Sequence, residues 1–273
     1  NIPFFLEILP LLAMEIQFSV IIPAYNNLVL LKNAVASVIC QEDVSWEIII
    51  VDDSTNTEIE DYVSKWNNKK VRYIHNHPNL GAVKNWNYGL SLAKGKYLII
   101  MHHDECFKDF RKALRVYYER VILGNQIIIS DLEIIMNARH LKRMGAPHKI
   151  REYILKHVPS LLYFYNFIGP VSCLCFSKEL ITTFNEELVW LVDVDFYYRL
   201  FLKSNKKISY CSNIVRSIHG HKGQISQNID ILRKNKDDVK VLCSIPRLSL
   251  AQKIFIKLSY LYRKVKYLIL KLL

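Results

Sequence analysis

Residues Lys96-Tyr97-Leu98-Ile99-Ile100-Met101-His102-His103-Asp104-Glu105 carry an apolar strand straight into two histidines and two carboxylates. A run this apolar is expected to be buried on both faces, as the strands of parallel sheets are. Its polar end then emerges at the carboxyl edge, where open α/β sheets bind ligands. Two imidazoles and two carboxylates at that edge point to a divalent-cation or phosphate site. The plain alternative is a solvated loop.

The preceding residues repeat the pattern. Phe18–Pro23, Trp46–Val51 and Val71–Ile74 read as strands, with Tyr97–Met101 as the fourth. Between them, Leu28–Gln41, Ile59–Trp66 and Leu80–Ala93 read as helices, the last one ended by Gly95. Strands alternating with helices predict a mostly parallel sheet with right-handed crossovers. Beyond Asp104 the order changes: a helix over Phe110–Leu123, strands at Gln126–Ser130 and Val171–Phe176, a helix over Asp193–Leu202, and strands at Lys207–Tyr210 and Ile214–Ile218. Residues 140–156 read as a basic loop followed by a short helix.

The net charge of +12 is unevenly placed. Residues 247–273 hold seven of those charges and no acid, which leaves the remainder mildly basic. No nucleic-acid-binding motif accompanies the charge, so a nucleic-acid partner is not expected. The six cysteines include no C-x-x-C pair and several lie in apolar runs, which fits reduced thiols in a cytosolic compartment. No apolar run reaches the roughly 20 residues needed to span a bilayer. Residues 1–13 are apolar and lack a basic leader; Met14 reads as the natural start, with the first thirteen residues an upstream extension.

Three polar clusters fall at strand ends that such a sheet brings together: Pro23-Ala24-Tyr25-Asn26, Asp52-Asp53 and His102-His103-Asp104-Glu105. A tyrosine ring can stack on a base, a carboxylate can accept from a base or ribose, and Asp104 suits a hard cation that bridges diphosphate oxygens. There is no Gly-rich phosphate loop.

In order and spacing, several strings resemble family 2 glycosyltransferases of the GT-A fold, of the kind that build bacterial O-antigen and capsule. They are Val20-Ile21-Ile22-Pro23-Ala24-Tyr25-Asn26, Ile50-Val51-Asp52-Asp53-Ser54-Thr55, Asn79-Leu80-Gly81, Asn87-Tyr88-Gly89-Leu90 and Ala93-Lys94-Gly95-Lys96-Tyr97. The resemblance implies an α/β GT-A domain over 14–246, with a nucleotide-binding half (14–105) and an acceptor-binding, catalytic half (106–246). It implies a donor pocket lined by Pro23, Ala24, Tyr25, Asn26, Asp52, Asp53, Asn85, Asn87, His102 and His103. The family's Asp-x-Asp metal motif falls on His102-His103-Asp104, with His in place of the first Asp. Asp104 is then the ligand to Mn²⁺ or Mg²⁺, and His221 a second candidate. Trp86 stands where many members carry Arg.

Downstream, Trp190-Leu191-Val192-Asp193-Val194-Asp195 resembles the family's Glu-Asp-x-Asp segment, with Val192 for Glu. The catalytic base of an inverting transfer maps to Asp193. Asp195 and Arg199, an i, i+4 pair, support it, and His219 and Lys222 are candidates for closing over the diphosphate. The implied reaction moves a sugar from a nucleotide sugar, UDP-linked by preference, to a lipid-linked or growing glycan. An inactive sugar-nucleotide or glycan-binding module on the same fold is the alternative.

The tail supplies the location. Ile254, Leu258, Leu261, Val265, Leu268 and Leu272 recur at helical spacing, with Lys253, Lys257, Lys264 and Lys271 off that stripe. A basic amphipathic helix without acids reads as an interfacial anchor on an anionic membrane. The enzyme is therefore expected to be cytoplasmic and peripheral at the inner membrane face. A helix packed on the domain or on a second subunit is the alternative.

Overall fold

The computed structural model describes residues 15–136, 139–142, 147–220, 230–246 and 248–272. These residues form two compact units that interleave along the chain. The first takes the described residues of Asn1–Met144, Ile168–Ile181 and Ser204–His219; the second takes those of Gly145–Phe167, Thr182–Lys203 and Gly220–Leu273. A division after residue 105 follows chain order, whereas the units follow strand pairing, which draws late segments into the sheet begun by the early ones.

In the first unit the strands are β1 (Phe18–Ala24), β2 (Trp46–Asp52), β3 (Val71–His75), β4 (Tyr97–Ile100), β5 (Glu105–Phe107), β6 (Ile127–Met136), β7 (Arg139–Lys142), β8 (Leu174–Ser177) and β9 (Ile208–His219). They make one sheet in the order β3-β2-β1-β4-β8-β6-β9-β5, with β7 paired to β6. The first four strands are parallel. β8 runs antiparallel to both β4 and β6, β9 is parallel to β6, and β5 is antiparallel to β9. The sheet is thus mixed, with its parallel part where the βα alternation is regular.

Every residue of β1 and β2 is buried, as their β-branched runs require. Buried Glu47 is kept tolerable by its partners: Ser19 Oγ donates at 2.6 Å, Arg72 at 2.9 Å and the Lys94 N–H at 2.7 Å. Flanking helices are α1 (Leu28–Ile39), α2 (Glu58–Val63), α3 (Ala82–Leu92) and α4 (Ala113–Val121). The Asn27 side chain caps α1 by accepting from the Leu30 N–H at 3.1 Å.

Several sequence expectations change: the strand begun at Ile127 runs on to Met136, and Arg139–Lys142 is strand where a basic loop was expected. Val171–Cys173 is a 3₁₀ turn, and only Leu174–Ser177 is strand. The two late strands are one, Ile208–His219, because a register irregularity against Ser130–Leu132 absorbs the polar residues between them. The helix before Gly95 ends at Leu92, with Ala93 extended at its cap, and Gly95 serves as a point of close approach to β1.

The second unit is helical: α5 (His148–His157), a 3₁₀ turn (Pro159–Tyr163), α6 (Val192–Lys203), α7 (Ile231–Ser244) and α8 (Leu250–Leu272). Half-buried Arg263 ties α8 inward through the Tyr163 carbonyl, Asn235 Oδ1 at 3.2 Å and Ser259 Oγ at 3.1 Å.

Candidate active site

Register places Ala24, Asp52 and His75 on one row across β1, β2 and β3. β4 ends at Ile100, so His102, His103 and Asp104 follow at the same carboxyl edge. His103 Nδ1 lies 3.4 Å from the Pro23 carbonyl, which links the end of β4 to that of β1. The early clusters expected to converge therefore do so: Pro23 to Asn26, Asp52-Asp53 and His102 to Asp104 share one sheet edge.

They form two layers. The buried layer contains Asp52, Asp53, Ser54, Asn76 and Asn85. Asp52 accepts from the Ser54 N–H (2.9 Å) and hydroxyl on one oxygen and from the Tyr73 hydroxyl at 2.8 Å on the other. Burial, reinforced by that bond to Asp52, pushes the Tyr73 phenol far above its ordinary pKa, so it stays a donor. Asp53 accepts from Asn76 (3.1 Å) and from the backbone N–H groups of Leu80 (2.7 Å) and Gly81 (2.8 Å). Asn76 also donates to Asn85 Oδ1 at 2.8 Å, and Asn85 donates to the Val51 carbonyl at 2.9 Å. These carboxylates and amides spend their hydrogen bonds on β2 and β3, on the loops that follow them, and on the start of α3.

The outer layer is reachable. Tyr25 and Asn26 are exposed, and His102, His103, Asp104 and Asn87 are half-buried. Asn26, at φ 46°, clips the β1 loop to the β2 loop: its N–H donates to Ser54 Oγ at 2.8 Å, and its side chain exchanges bonds with Thr55. Trp86, buried on α3, holds its ring 5.0 Å from that of His102. Glu105 differs from its expected place in the polar cluster. It is buried in β5 and accepts from the His102 N–H at 2.9 Å, so it braces the turn.

Ligand atoms of His102, Asp104 and Glu105 lie within 4.8 Å of one another. One imidazole and two carboxylates suit a divalent ion such as Mn²⁺, with Mg²⁺ served by the oxygens. The residues present thus fit the expected cation. His221, the other candidate ligand, and Lys222 lie outside the described residues, as do residues 1–13.

In the second unit, half-buried Asp193 sits in the first turn of α6. Asp195, two residues on, is buried and accepts from Arg199 at 2.8 Å, while Arg199 also donates to Thr182 Oγ1 at 2.7 Å. The loop entering α6 is held by a residue that sequence reasoning missed. Buried Asp238 of α7 accepts from the backbone N–H groups of Val189 (3.0 Å), Trp190 (2.6 Å) and Leu191 (2.7 Å). The only sequence signal for it is a carboxylate on the apolar side of an amphipathic helix. His219 is the last residue of β9, in the first unit.

Residues 19–163 match the family described as Glycosyl transferase family 2. Among curated relatives, a Mycobacterium tuberculosis protein, MT1568, is 28% identical over 201 residues, covering 68% of this chain and 62% of its own length. The UDP-Glc:alpha-D-GlcNAc-diphosphoundecaprenol beta-1,3-glucosyltransferase WfgD of Escherichia coli is 24% identical over 134 residues, covering 48% of this chain and 52% of its own. The chain therefore spans a little over half the length of these relatives. Among solved structures, S. aureus TarS in complex with UDP-GlcNAc superposes with a TM-score of 0.67 over 92% of this chain and 73% of TarS, at 19% identity. That likeness establishes the fold, and it agrees with the α/β architecture expected from the strand–helix alternation.

Proposed function

The chain belongs to glycosyl transferase family 2, and from that premise we propose that it is an inverting, UDP-sugar-dependent glycosyltransferase. Its acceptor would be a hydroxyl of a lipid-linked or growing glycan in cell-surface polysaccharide synthesis. One observation carries the reading. The reachable residues Tyr25, Asn26, His102, His103 and Asp104 stand on a buried frame of Asp52, Asp53, Asn76 and Asn85 at one sheet edge. The relatives support its chemistry: TarS was crystallised with UDP-GlcNAc, and WfgD is named for a UDP-glucose donor and a lipid-diphosphate acceptor.

Within this reading, Tyr25 stacks on the base and the Pro23–Asn26 backbone lines the nucleoside. Asn87, His102 and His103 offer polar contacts to ribose and diphosphate. Asp52 and Asp53 act at one remove, by fixing the loops that carry these groups. Asp104, with His102 and Glu105, would hold Mn²⁺ or Mg²⁺, which when bound neutralises charge on the departing diphosphate. Asp193 takes the proton of the acceptor hydroxyl as that oxygen bonds to the anomeric carbon and the carbon–diphosphate bond breaks. Asp193 sits in the first turn of α6, at the positive end of the helix dipole. His219 supports the diphosphate side, and Asp195 with Arg199 holds α6 in shape.

The outward stripe of α8 supports a peripheral location on the anionic inner face of the cell membrane. No helix among the described residues is long and apolar enough to cross a bilayer.

Turnover of a labelled UDP-sugar tests the proposal, and it separates an enzyme from an inactive binding module. Asp193→Asn is expected to lower transfer by about 10²- to 10⁴-fold, the usual share of a general base. UDP binding should stay within about twofold. Near-normal turnover in that variant would remove Asp193 as base, and full activity after EDTA would remove the cation at Asp104.

A further inference from the structure

His75 and His77 flank Asn76 at the carboxyl end of the edge strand β3, His75 on the row of Ala24 and Asp52 but with β2 between it and β1. His75 Nε2 lies 3.0 Å from the Ser54 carbonyl, which can only accept, so that nitrogen carries a proton. Its other nitrogen, Nδ1, faces Glu60 Oε2 at 3.0 Å. His77 lays its ring 4.0 Å from that of His75, and one ligand atom from each of Glu60, His75 and His77 falls within 4.8 Å of the others.

We propose that Glu60, His75 and His77 form a second cation site, for a divalent transition ion of the Zn²⁺ class, behind the loop that follows β2. Two imidazoles and one carboxylate suit such an ion, whereas Mg²⁺ and Ca²⁺ prefer all-oxygen shells. With bonds of about 2.0–2.1 Å, neighbouring ligand atoms in a tetrahedron stand about 3.3 Å apart. The Glu60–His75 pair need open by only about 0.3 Å to admit the ion. The backbone carbonyl on the far nitrogen is the outer-shell partner that metal-bound histidines generally have, and it leaves Nδ1 as the ligand atom. His77 is exposed, so water can complete the shell.

The position has a consequence. Glu60 belongs to α2, His75 to β3, and Ser54 to the loop whose hydroxyl accepts the Asn26 N–H. An ion there ties α2 and β3 to the loop that frames the proposed donor site, and it stabilises the folded chain in proportion to its affinity.

The test uses the full chain, freed of metal by chelation, titrated with Zn²⁺ by calorimetry and with Co²⁺ by visible absorbance. It is repeated in Asp104→Asn, which weakens the other cluster. One equivalent of Zn²⁺ is expected to bind Asp104→Asn with micromolar or tighter affinity and to raise its melting temperature, with Co²⁺ giving a visible band. Glu60→Gln and the exposed His77→Ala should each weaken binding at least tenfold in that background. Circular dichroism matching the parent would show that both variants fold. Absence of a stoichiometric site in Asp104→Asn, or unchanged affinity in both variants, would overturn the proposal.

Discussion

The carboxylate of Asp238, on α7, accepts the backbone N–H of Leu191 at 2.7 Å, one residue before α6 begins. With the N–H groups of Val189 and Trp190 it gathers three donors of the loop that leads to Asp193. Each hydrogen bond to a charged acceptor contributes about 1.5–3 kcal/mol, and truncation leaves the donors unsatisfied in a buried place. Asp238→Ala should therefore destabilise the chain by about 3 kcal/mol or more, read from denaturant midpoints. A loss under about 1 kcal/mol would show that water or a neighbour takes over those N–H groups.

Gly95 makes the second prediction. A Cβ there would stand 2.5 Å from the Ser19 nitrogen and 2.7 Å from the Phe18 carbonyl carbon, both backbone atoms of a fully buried strand. Nothing soft can yield, and the Gly95 N–H bond to Ser19 Oγ (2.8 Å) would stretch as β1 moved. Gly95→Ala is expected to cost about 2–3 kcal/mol. Gly81, with φ 84° and open space around its Cα, should lose only about 1–2 kcal/mol on the same change, through backbone strain alone. Equal melting temperatures for the two variants would contradict the packing argument.

Glu133 gives a pH dependence. Burial raises its carboxyl, but Arg216 at 2.7 Å and Lys108 at 3.1 Å override this and bring it from an ordinary 4.5 down to about 2. Because the folded value is the lower one, the stabilisation is fully present above pH 4.5 and is lost as pH falls toward 2. Melting temperature should therefore fall across that window, and less steeply in Glu133→Gln, which starts lower and has no such proton to bind. Parallel pH profiles for the two proteins would show that other carboxylates set the acid limit.

Much of this was legible from apolar pattern. β1, β2 and β4 are buried runs whose ends carry the polar clusters, so their convergence could be expected before any coordinates. β5 was not legible, because Glu105-Cys106-Phe107 is too short to show a period and pairs with β9 more than a hundred residues later. The roles of Asp52 and Asp53 were half legible. Their position at a strand end is local information, while their bonds to Tyr73, Asn76, Leu80 and Gly81 depend on which loops the fold brings near. Asp238 was hidden for the same reason: its three backbone partners lie almost fifty residues upstream.

The tail yields the last prediction, and the two faces of its helix differ. α8 does pack inward, through buried Ile256 and Ser259, Phe255 against Phe164 at 4.4 Å, and Arg263, whose pKa burial lowers to about 10. The stripe of Ile254, Leu258, Leu261, Val265 and Leu268 is on the other side, each side chain about half exposed. Lysines 253, 257, 264 and 266 share the helix, and α8 has no acid. An apolar face edged by cations suits an anionic bilayer, where each basic residue adds about 1 kcal/mol near the surface. Deleting the helix would uncover Ile256 and unseat Arg263, so loss of binding in a truncated chain would be ambiguous. Replacing Leu258, Leu261, Val265 and Leu268 by Ser leaves the inner face intact. That variant should lose flotation with vesicles containing anionic lipid while keeping its fold by circular dichroism. The parent should float with anionic vesicles, and less so as salt rises. Equal flotation of the two proteins would mean that the exposed stripe does not meet the membrane.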